Sequence, residues 1–283
     1  MLVKNYDEMK PFIPTMVMKG SPDLFNDALD VAQDDLTAAI LGSDLEEQLE
    51  GRAEADSRLL KLSQRAIAIQ AFLTSIPELD LILTDSGFAV INNESLTMAS
   101  KERVQSLTNS MQLKLDDSKD KLITYLMDSG LYDDWRGTEQ FGRLSDGLIM
   151  TYADFKDIAV LNNITRPNYP KTWNEFLQLN SALNVALMTI VAKYISKEYA
   201  EAIIEKVRDK ETFLPSELHL LKLVKIAIAA IALGDEATGI NNAIKAENYM
   251  KANIKDFTIY ANSDVYKTDL TLGHKQGPIY FMM

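Results

Sequence analysis

From Pro22 onward, apolar residues recur at three- and four-residue steps: Leu24, Ala28, Ala32, Leu36, Ala39 and Ile40, up to Gly42. That period puts them on one face of a helix, with the glycine as its stop. Asp44 is placed to cap a short helix through Leu49. Residues 54–74 carry Leu59, Leu62, Ala66, Ile67, Ile69 and Leu73 over a broad apolar face. The small Ala66, Ala68 and Ala71 allow the close helix contact of a bundle centre. Ser100 to Asp128 is the longest candidate, about 43 Å at 1.5 Å per residue, and predicts a strut. Val104, Leu107, Met111, Leu115, Leu122 and Leu126 form its stripe, and Lys101, Glu102, Asp116, Asp117 and Lys119 its expected outer face.

The second half repeats this habit. Trp173 to Tyr194 supplies Phe176, Leu179, Leu183, Ala186, Leu187 and Ile190, and a further helix runs through Tyr199, Ile203, Ile204 and Val207. Pro215 suits a first helical turn, and after Gly239 a helix over Ile240–Ile254 ends the regular region. The stretch 59–72 recurs at 220–233, an offset of 161, with eight of fourteen positions identical, including Leu59-Leu60-Lys61-Leu62 and Leu220-Leu221-Lys222-Leu223. A chain that repeats one helix reads as two related helical modules, and repeated modules usually build surfaces.

Three segments break the helical period. Leu81–Thr84 and Phe88–Ile91 flank Asp85-Ser86-Gly87, which predicts a β-hairpin at about 81–91. A lone hairpin is marginal in water, so it must pack on helices or pair with another chain. Residues 1–20 place Pro11 and Pro14 among Phe12, Ile13, Met16, Val17 and Met18, and predict an extended apolar arm. Residues 257–283 alternate through Phe257-Thr258-Ile259-Tyr260 and end on Ile279-Tyr280-Phe281-Met282-Met283, predicting a second extended arm that buries against the body or adds to a neighbouring subunit. The fold class expected is therefore mainly α: helical bundle modules with internal duplication, a small β-hairpin and extended terminal arms. The expected divisions are an N-terminal arm at 1–20, a helical module at 21–128, a junction at 129–171 with a short helix near Tyr152–Leu161, a second module at 172–256, and a tail at 257–283.

Composition narrows the function. A hydrophobic fraction of 47% over 283 residues is ample for a core. The net charge of -12 argues against a nonspecific grip on nucleic acid. Residues 21–56 hold eleven acids and only Arg52 as a base, which implies a solvated face or a basic partner. With no cysteine there are no disulfides, thiolate nucleophiles or cysteine-bound metals. Lys4, Asp7, Glu8 and Lys10 replace an apolar leader, and the most apolar run, Leu223–Leu233, is too short to cross a bilayer. A soluble chain made in a cytoplasm, without a membrane partner, is expected.

Candidate chemistry is thin. His219 and His274 are the two histidines, and neither has a metal-binding partner at helical spacing. No phosphate-binding glycine loop or nucleophile elbow occurs. Asp34-Asp35, Glu46-Glu47 and Asp133-Asp134 are adjacent carboxylates, which point apart on a helix and form no two-metal clamp. Arg136, Arg143 and Arg166 near the junction suit ion pairs. The aromatics Tyr125, Tyr132, Trp135, Phe141, Tyr152 and Phe155 suit a wedge between helices better than base stacking. No catalytic residue, metal ligand or cofactor is expected.

One wider pattern stands out. Ala39-Ile40-Leu41-Gly42, the alanine-rich helix, Ile76-Pro77-Glu78-Leu79, Leu83-Thr84-Asp85-Ser86-Gly87-Phe88-Ala89-Val90 and Met98-Ala99-Ser100-Lys101-Glu102-Arg103-Val104 occur in that order. Over residues 22–128 this order resembles a family of phages and prophages of Bacteroidales, with its closest context in the crAss-like phages, whose members are similar to head–tail connector, or neck ring, subunits. The resemblance implies a structural virion protein in a homo-oligomeric ring, twelve-fold in such connectors, between the portal protein and other neck or tail proteins. DNA would pass through the lumen during ejection without specific binding, which suits the acidic charge. It also implies an interface role for Asp85, Ser86, Gly87 and Phe88 in the hairpin and for Val265, Tyr266, Leu270, Leu272, Ile279, Tyr280 and Phe281 in the tail. The second module departs from the pattern, since no such hairpin follows Leu233. The alternative is a cytoplasmic helical adaptor or scaffold without catalytic activity. An enzyme would need a pocket joining residues such as Asp133, Arg136 and His219.

Overall fold

Each copy of the repeated helix lies at the centre of its own unit. The computed structural model describes residues 1–13, 25–51, 56–78, 81–84, 87–90, 100–164, 169–209 and 211–273, which divide into unit 1, Met1–Phe141, and unit 2, Gly142–Met283. Unit 1 runs through α1 (Tyr6–Met9), α2 (Asn26–Leu36), a π turn at Thr37–Leu41, α3 (Ser43–Glu50), α4 (Ser57–Ser75), β1 (Leu81–Thr84), β2 (Gly87–Val90) and α5 (Lys101–Asp128). Helix α6 (Glu139–Ser145) crosses the boundary between the units. Unit 2 continues with α7 (Tyr152–Leu161), α8 (Trp173–Val185), a π turn at Ala186–Val191, α9 (Ala192–Ile195), α10 (Lys197–Arg208), α11 (Pro215–Ala232), α12 (Glu236–Ala252), α13 (Thr258–Asn262) and α14 (Asp264–Gly273).

Local chemistry sets the helix starts. The Asp56 carboxylate accepts the Arg58 and Leu59 N–H groups at 2.8 and 3.1 Å and opens α4. Ser100, Thr172 and Asp235 cap α5, α8 and α12 in the same way, and Pro215 occupies the first turn of α11. In unit 1, α4 packs against α2 and α5; in unit 2, α11 packs against α7, α8 and α12. The repeated helices also bury the same positions. Leu59 and Leu220 are buried and Lys61 and Lys222 exposed, while Ala66–Ile69 and Ala227–Ala230 are buried throughout.

The likeness extends beyond the repeated helix. In both units a helix runs into a π turn, a positive-φ residue follows (Gly42, Ser196), and then come a short helix, the repeated helix and its packing partner. The two units differ between the last two helices. Unit 2 turns from α11 to α12 through Leu233-Gly234-Asp235, whereas residues 76–100 separate α4 from α5.

The expected fold class is corrected on its additions to the helical modules. The fold is essentially all-helical. Strand pairing among the described residues is confined to β1 against β2, an antiparallel ladder from Leu81 opposite Val90 to Thr84 opposite Gly87. It joins no larger sheet, so β-structure forms no layer of the fold. The extended terminal arms are also corrected, because helical turns occupy much of both terminal segments where described, from Tyr6 to Phe12 at one end and from Thr258 to Gly273 at the other. Pro11 lies within a 3-10 turn at Lys10–Phe12 that follows α1. Leu2, Val3, Met9 and Ile13 are buried in unit 1, and the Leu2 amide donates to Gln33 Oε1 at 2.6 Å while its carbonyl accepts from Gln64 at 2.9 Å. At the other end, Phe257 and Tyr260 are buried while Thr258 and Ile259 between them are exposed. A three-residue spacing of buried positions belongs to a helix, not to a strand.

Candidate interaction surface

The residues expected to form interfaces are scattered by the structure. Gly87 and Phe88 open β2; Asp85 and Ser86 lie outside the described residues, as do Ile279, Tyr280 and Phe281. Leu270 and Leu272 fall in α14. Val265 and Tyr266 are half-buried in unit 2, with the Tyr266 ring 5.4 Å from that of Tyr260. Tyr260 in turn is buried in that unit's core, and Phe257 nearby meets Tyr199 and Tyr249 at 5.8 and 6.0 Å. The first turns of the C-terminal segment therefore fold back on their own unit.

Helix α5 presents the most exposed regular surface. Every residue of Lys101–Ser110 is exposed or half-exposed, and burial begins only at Met111. Tyr125, near the C-terminal end of α5, reaches Asp56 at the start of α4, so the two helices run antiparallel. The first ten residues of α5 then extend about 15 Å beyond the buried part of the helix. Helix α12, its counterpart in unit 2, begins three residues after α11 and has no such extension. Ser100 fixes the start of the projection by accepting the Arg103 N–H. On it, Arg103 and Leu107 share a face with Lys114, at steps of four and seven residues.

Deeper along α5, the expected polar outer face holds at Asp117, which is exposed, but not at Asp116 and Lys119, which are buried. Asp116 is 1% exposed and Lys119 2%, and Asp120 is buried beside them. Gln112 donates to Asp116 Oδ1 at 2.8 Å, and Gln70 on α4 donates to Asp35 of α2 at 2.6 Å. Burial pulls the Lys119 ammonium down to about 8, against the opposing charges of Asp116 and Asp35. Near the other end of α5, Asp56 gathers the hydroxyls of Tyr125 and Tyr132 at 2.5 and 3.1 Å. Burial alone raises that carboxyl, but the hydroxyl and backbone donors outweigh it and hold it below the usual range. Burial and the neighbouring Asp56 push the Tyr132 phenol up. The Arg58 guanidinium lies 4.8 Å over the Tyr125 ring.

The remaining candidates do not converge on one centre. His219 is exposed against the Tyr249 ring at 4.6 Å. His274 and Arg166 lie outside the described residues. Asp133 pairs with Arg136 at 3.5 Å, and Arg136 also donates to the Met127 carbonyl. The Arg143 carbonyl accepts from Asn180 at 2.9 Å beside a groove of about 510 Å³. A pocket of about 150 Å³ beside Gly42 is lined by Asp44, Tyr132, Asp134 and Trp135, smaller than the roughly 300 Å³ at which ligand sites begin. The junction aromatics divide between the units. Trp135 donates to the Ile40 carbonyl at 2.6 Å and meets Phe141, while Tyr152 and Phe155 pack on Phe176.

Among the described residues no group of three or more His, Cys, Asp or Glu is arranged to hold a metal ion. One helical run, Trp173–Ile195, is long and apolar enough by composition to cross a bilayer. Its Trp173, Phe176, Leu183, Leu187, Val191 and Ile195 are all buried in unit 2.

A family of unknown function, DUF6712, matches residues 16–144, a span that nearly coincides with unit 1 from its second helix onward. No curated protein and no solved structure matches the chain.

Proposed function

We propose that the chain is a non-catalytic helical adaptor or scaffold, whose work is to hold other polypeptides through its helix surfaces. The observation that carries this reading is the projection of α5. Ten residues held in a capped helix, each of them exposed or half-exposed, contribute little to the core of their own unit. A contact with another polypeptide gives such a segment a role.

A more specific form of the same reading is a connector ring subunit, placed between portal and tail in a virion. The resemblance over residues 22–128 supports it, because that stretch ends with α5 and includes the whole projection.

The test uses the full chain in the cell that makes it, with a photo-crosslinking residue at Gln105 or at Asn109 on the projection. Crosslinks to another polypeptide are expected, and portal or tail proteins among them would support the connector form. Crosslinks confined within single chains would overturn the assembly reading.

A further inference from the structure

A pocket of about 270 Å³ lies within unit 2, lined by α10, the connection to α11, the start of α11 and α13. Its volume is close to the roughly 300 Å³ at which ligand sites begin. Ile203, Phe213 and Ile259 make part of the lining apolar, and the rest is acidic: Glu205, Asp209, Glu211 and Glu217 accompany a single cation, Lys206. Glu217 is already satisfied. Both its oxygens accept from Lys206 Nζ, at 2.9 and 2.8 Å, and one also accepts the Leu214 amide at 2.7 Å. Glu205, Asp209 and Glu211 are exposed and form no ion pair among the described residues. Tyr199 lines the same pocket and is only 5% exposed. Its ring is held edge-on to Phe257 at 5.8 Å, yet its hydroxyl makes no hydrogen bond among the described residues. Burial, and then the Glu217 carboxylate, push the phenol up, which puts the hydroxyl on the pocket side and keeps it protonated at neutral pH. A polar tip on a buried side chain gains from a partner there.

We propose that this pocket binds an alkylammonium ion, its apolar stem against Ile203, Phe213 and Ile259 and its N–H groups shared between the Tyr199 hydroxyl and the unpaired carboxylates. Charge selects a cation, since four carboxylates stand against one ammonium. The apolar part of the lining selects an organic one: a stem of methylene groups gains from that surface while its charged head stays with the acids. A hard metal ion needs converging oxygens, and among the described residues no three acids are so arranged. The chain's own Lys206 shows the same chemistry at the pocket, its ammonium on a carboxylate and 5.1 Å from the centre of the Phe213 ring. Two sources carry this ligand chemistry, a free diamine and the lysine side chain of another polypeptide. The site belongs to unit 2 alone and stands whether or not the assembly reading does.

Titration calorimetry on the full chain tests the site, with putrescine as the free diamine and a lysine blocked at both ends of its backbone as the side-chain probe. Saturable binding of at least one probe is expected, and tighter binding of one over the other identifies the source. Ammonium chloride, which has the charge without the stem, is expected not to compete at equal concentration. The pocket variants are Tyr199→Phe, which keeps the ring on Phe257, and E205Q/D209N. The control is E198Q/E201Q, which removes the same charge from exposed positions of α10 outside the pocket. Each pocket variant is expected to weaken binding at least about tenfold, the control less than about twofold, with helical circular dichroism unchanged in all three. Tyr199→Phe removes one hydroxyl and no charge, so its loss separates a built site from a general attraction of cations to an acidic chain. The proposal is overturned if neither probe binds, if ammonium chloride competes as well as the probes, or if the control weakens binding as much as the pocket variants.

Discussion

Gly42 and Ser196 hold nearly the same backbone conformation, φ +77° and ψ 159° for the glycine, φ +69° and ψ 152° for the serine. Each joins a π turn or the helix that follows it to the next helix, so one bend is made twice by different residues. That region of φ,ψ is essentially confined to glycine, and a side chain there costs about 1–3 kcal/mol. Ser196 carries this strain while buried, and its hydroxyl accepts the Tyr199 N–H at 3.2 Å to cap α10.

Ser196→Gly is therefore expected to stabilise the chain. Relief of strain, about 1–3 kcal/mol, exceeds the few tenths of a kcal/mol separating glycine from serine as a cap. Gly42→Ala is expected to destabilise by a similar amount, with the added crowding of a Cβ at 3.3 Å from Gln140 Oε1. Urea unfolding of both variants reads the opposite signs, and two shifts of the same sign would refute the shared-bend account.

Gly239 lets α12 approach α11. A Cβ built there falls 2.4 Å from Ile231 Cγ1 and 3.0 Å from the Ala227 carbonyl oxygen. Gly239→Ala is expected to cost about 1–3 kcal/mol through overpacking, despite the better helix propensity of alanine. A thermal midpoint at or above that of wild type would show that the helices have room to separate.

These positions differ in how visible they are in the sequence. The repeated helix is plain, because Leu59, Ala66 and Ile67 and their counterparts Leu220, Ala227 and Ile228 combine identity with helical period. Ser196 gives no sign of the bend, since serine is an ordinary helix cap and only the tertiary fold forces its φ positive. The ends misled for a related reason. Pro11 signals a break in an α-helix but fits a 3-10 turn, and Phe257-Thr258-Ile259-Tyr260 alternates less than it appears to, since Ile259 faces outward. Residue type alone places Lys119 on the polar outer face of α5 with the exposed Asp117, yet it is buried beside carboxylates on its own helix and on α2. The α5 projection was legible as length, but its exposure follows from the shorter α4 beside it.

The Lys119 ammonium predicts a feature on the alkaline side. Its folded value, about 8, lies below the ordinary lysine value near 10.5, so the unfolded chain binds more protons between those two limits. Stability contributed by this group accordingly rises as pH increases from about 8 to about 10.5, with a slope of at most about 1.4 kcal/mol per pH unit. Urea unfolding of wild type and K119M across that window should show this slope only in wild type. Parallel curves would remove the buried ammonium from the account.

Asp56 predicts the opposite edge. Its carboxyl is held below the ordinary range in the folded chain, so its contribution is complete above the unfolded value near about 4 and disappears as pH falls through the lower folded value. Asp56→Asn keeps a cap acceptor but loses the charge that receives two tyrosine hydroxyls. The variant is expected to be about 1 kcal/mol less stable at neutral pH, and the gap should close under acid. A gap that persists unchanged at low pH would assign the effect to shape, not charge.

The unequal connections between the central helices carry a consequence for how the chain acquires its structure. Three residues, Leu233 to Asp235, close the α11–α12 pair, whereas twenty-five, Ile76 to Ser100, must be closed before α4 meets α5. Each doubling of a loop adds roughly 0.6 kcal/mol of closure entropy, so the eightfold difference sets unit 1 behind by roughly 2 kcal/mol at this step. Local pairs of this kind form early and distant ones late. In a chain refolding from denaturant the α11–α12 pair is therefore set to close first, whereas on a ribosome the seconds needed to make the second half leave the N-terminal pair ample time to form before it.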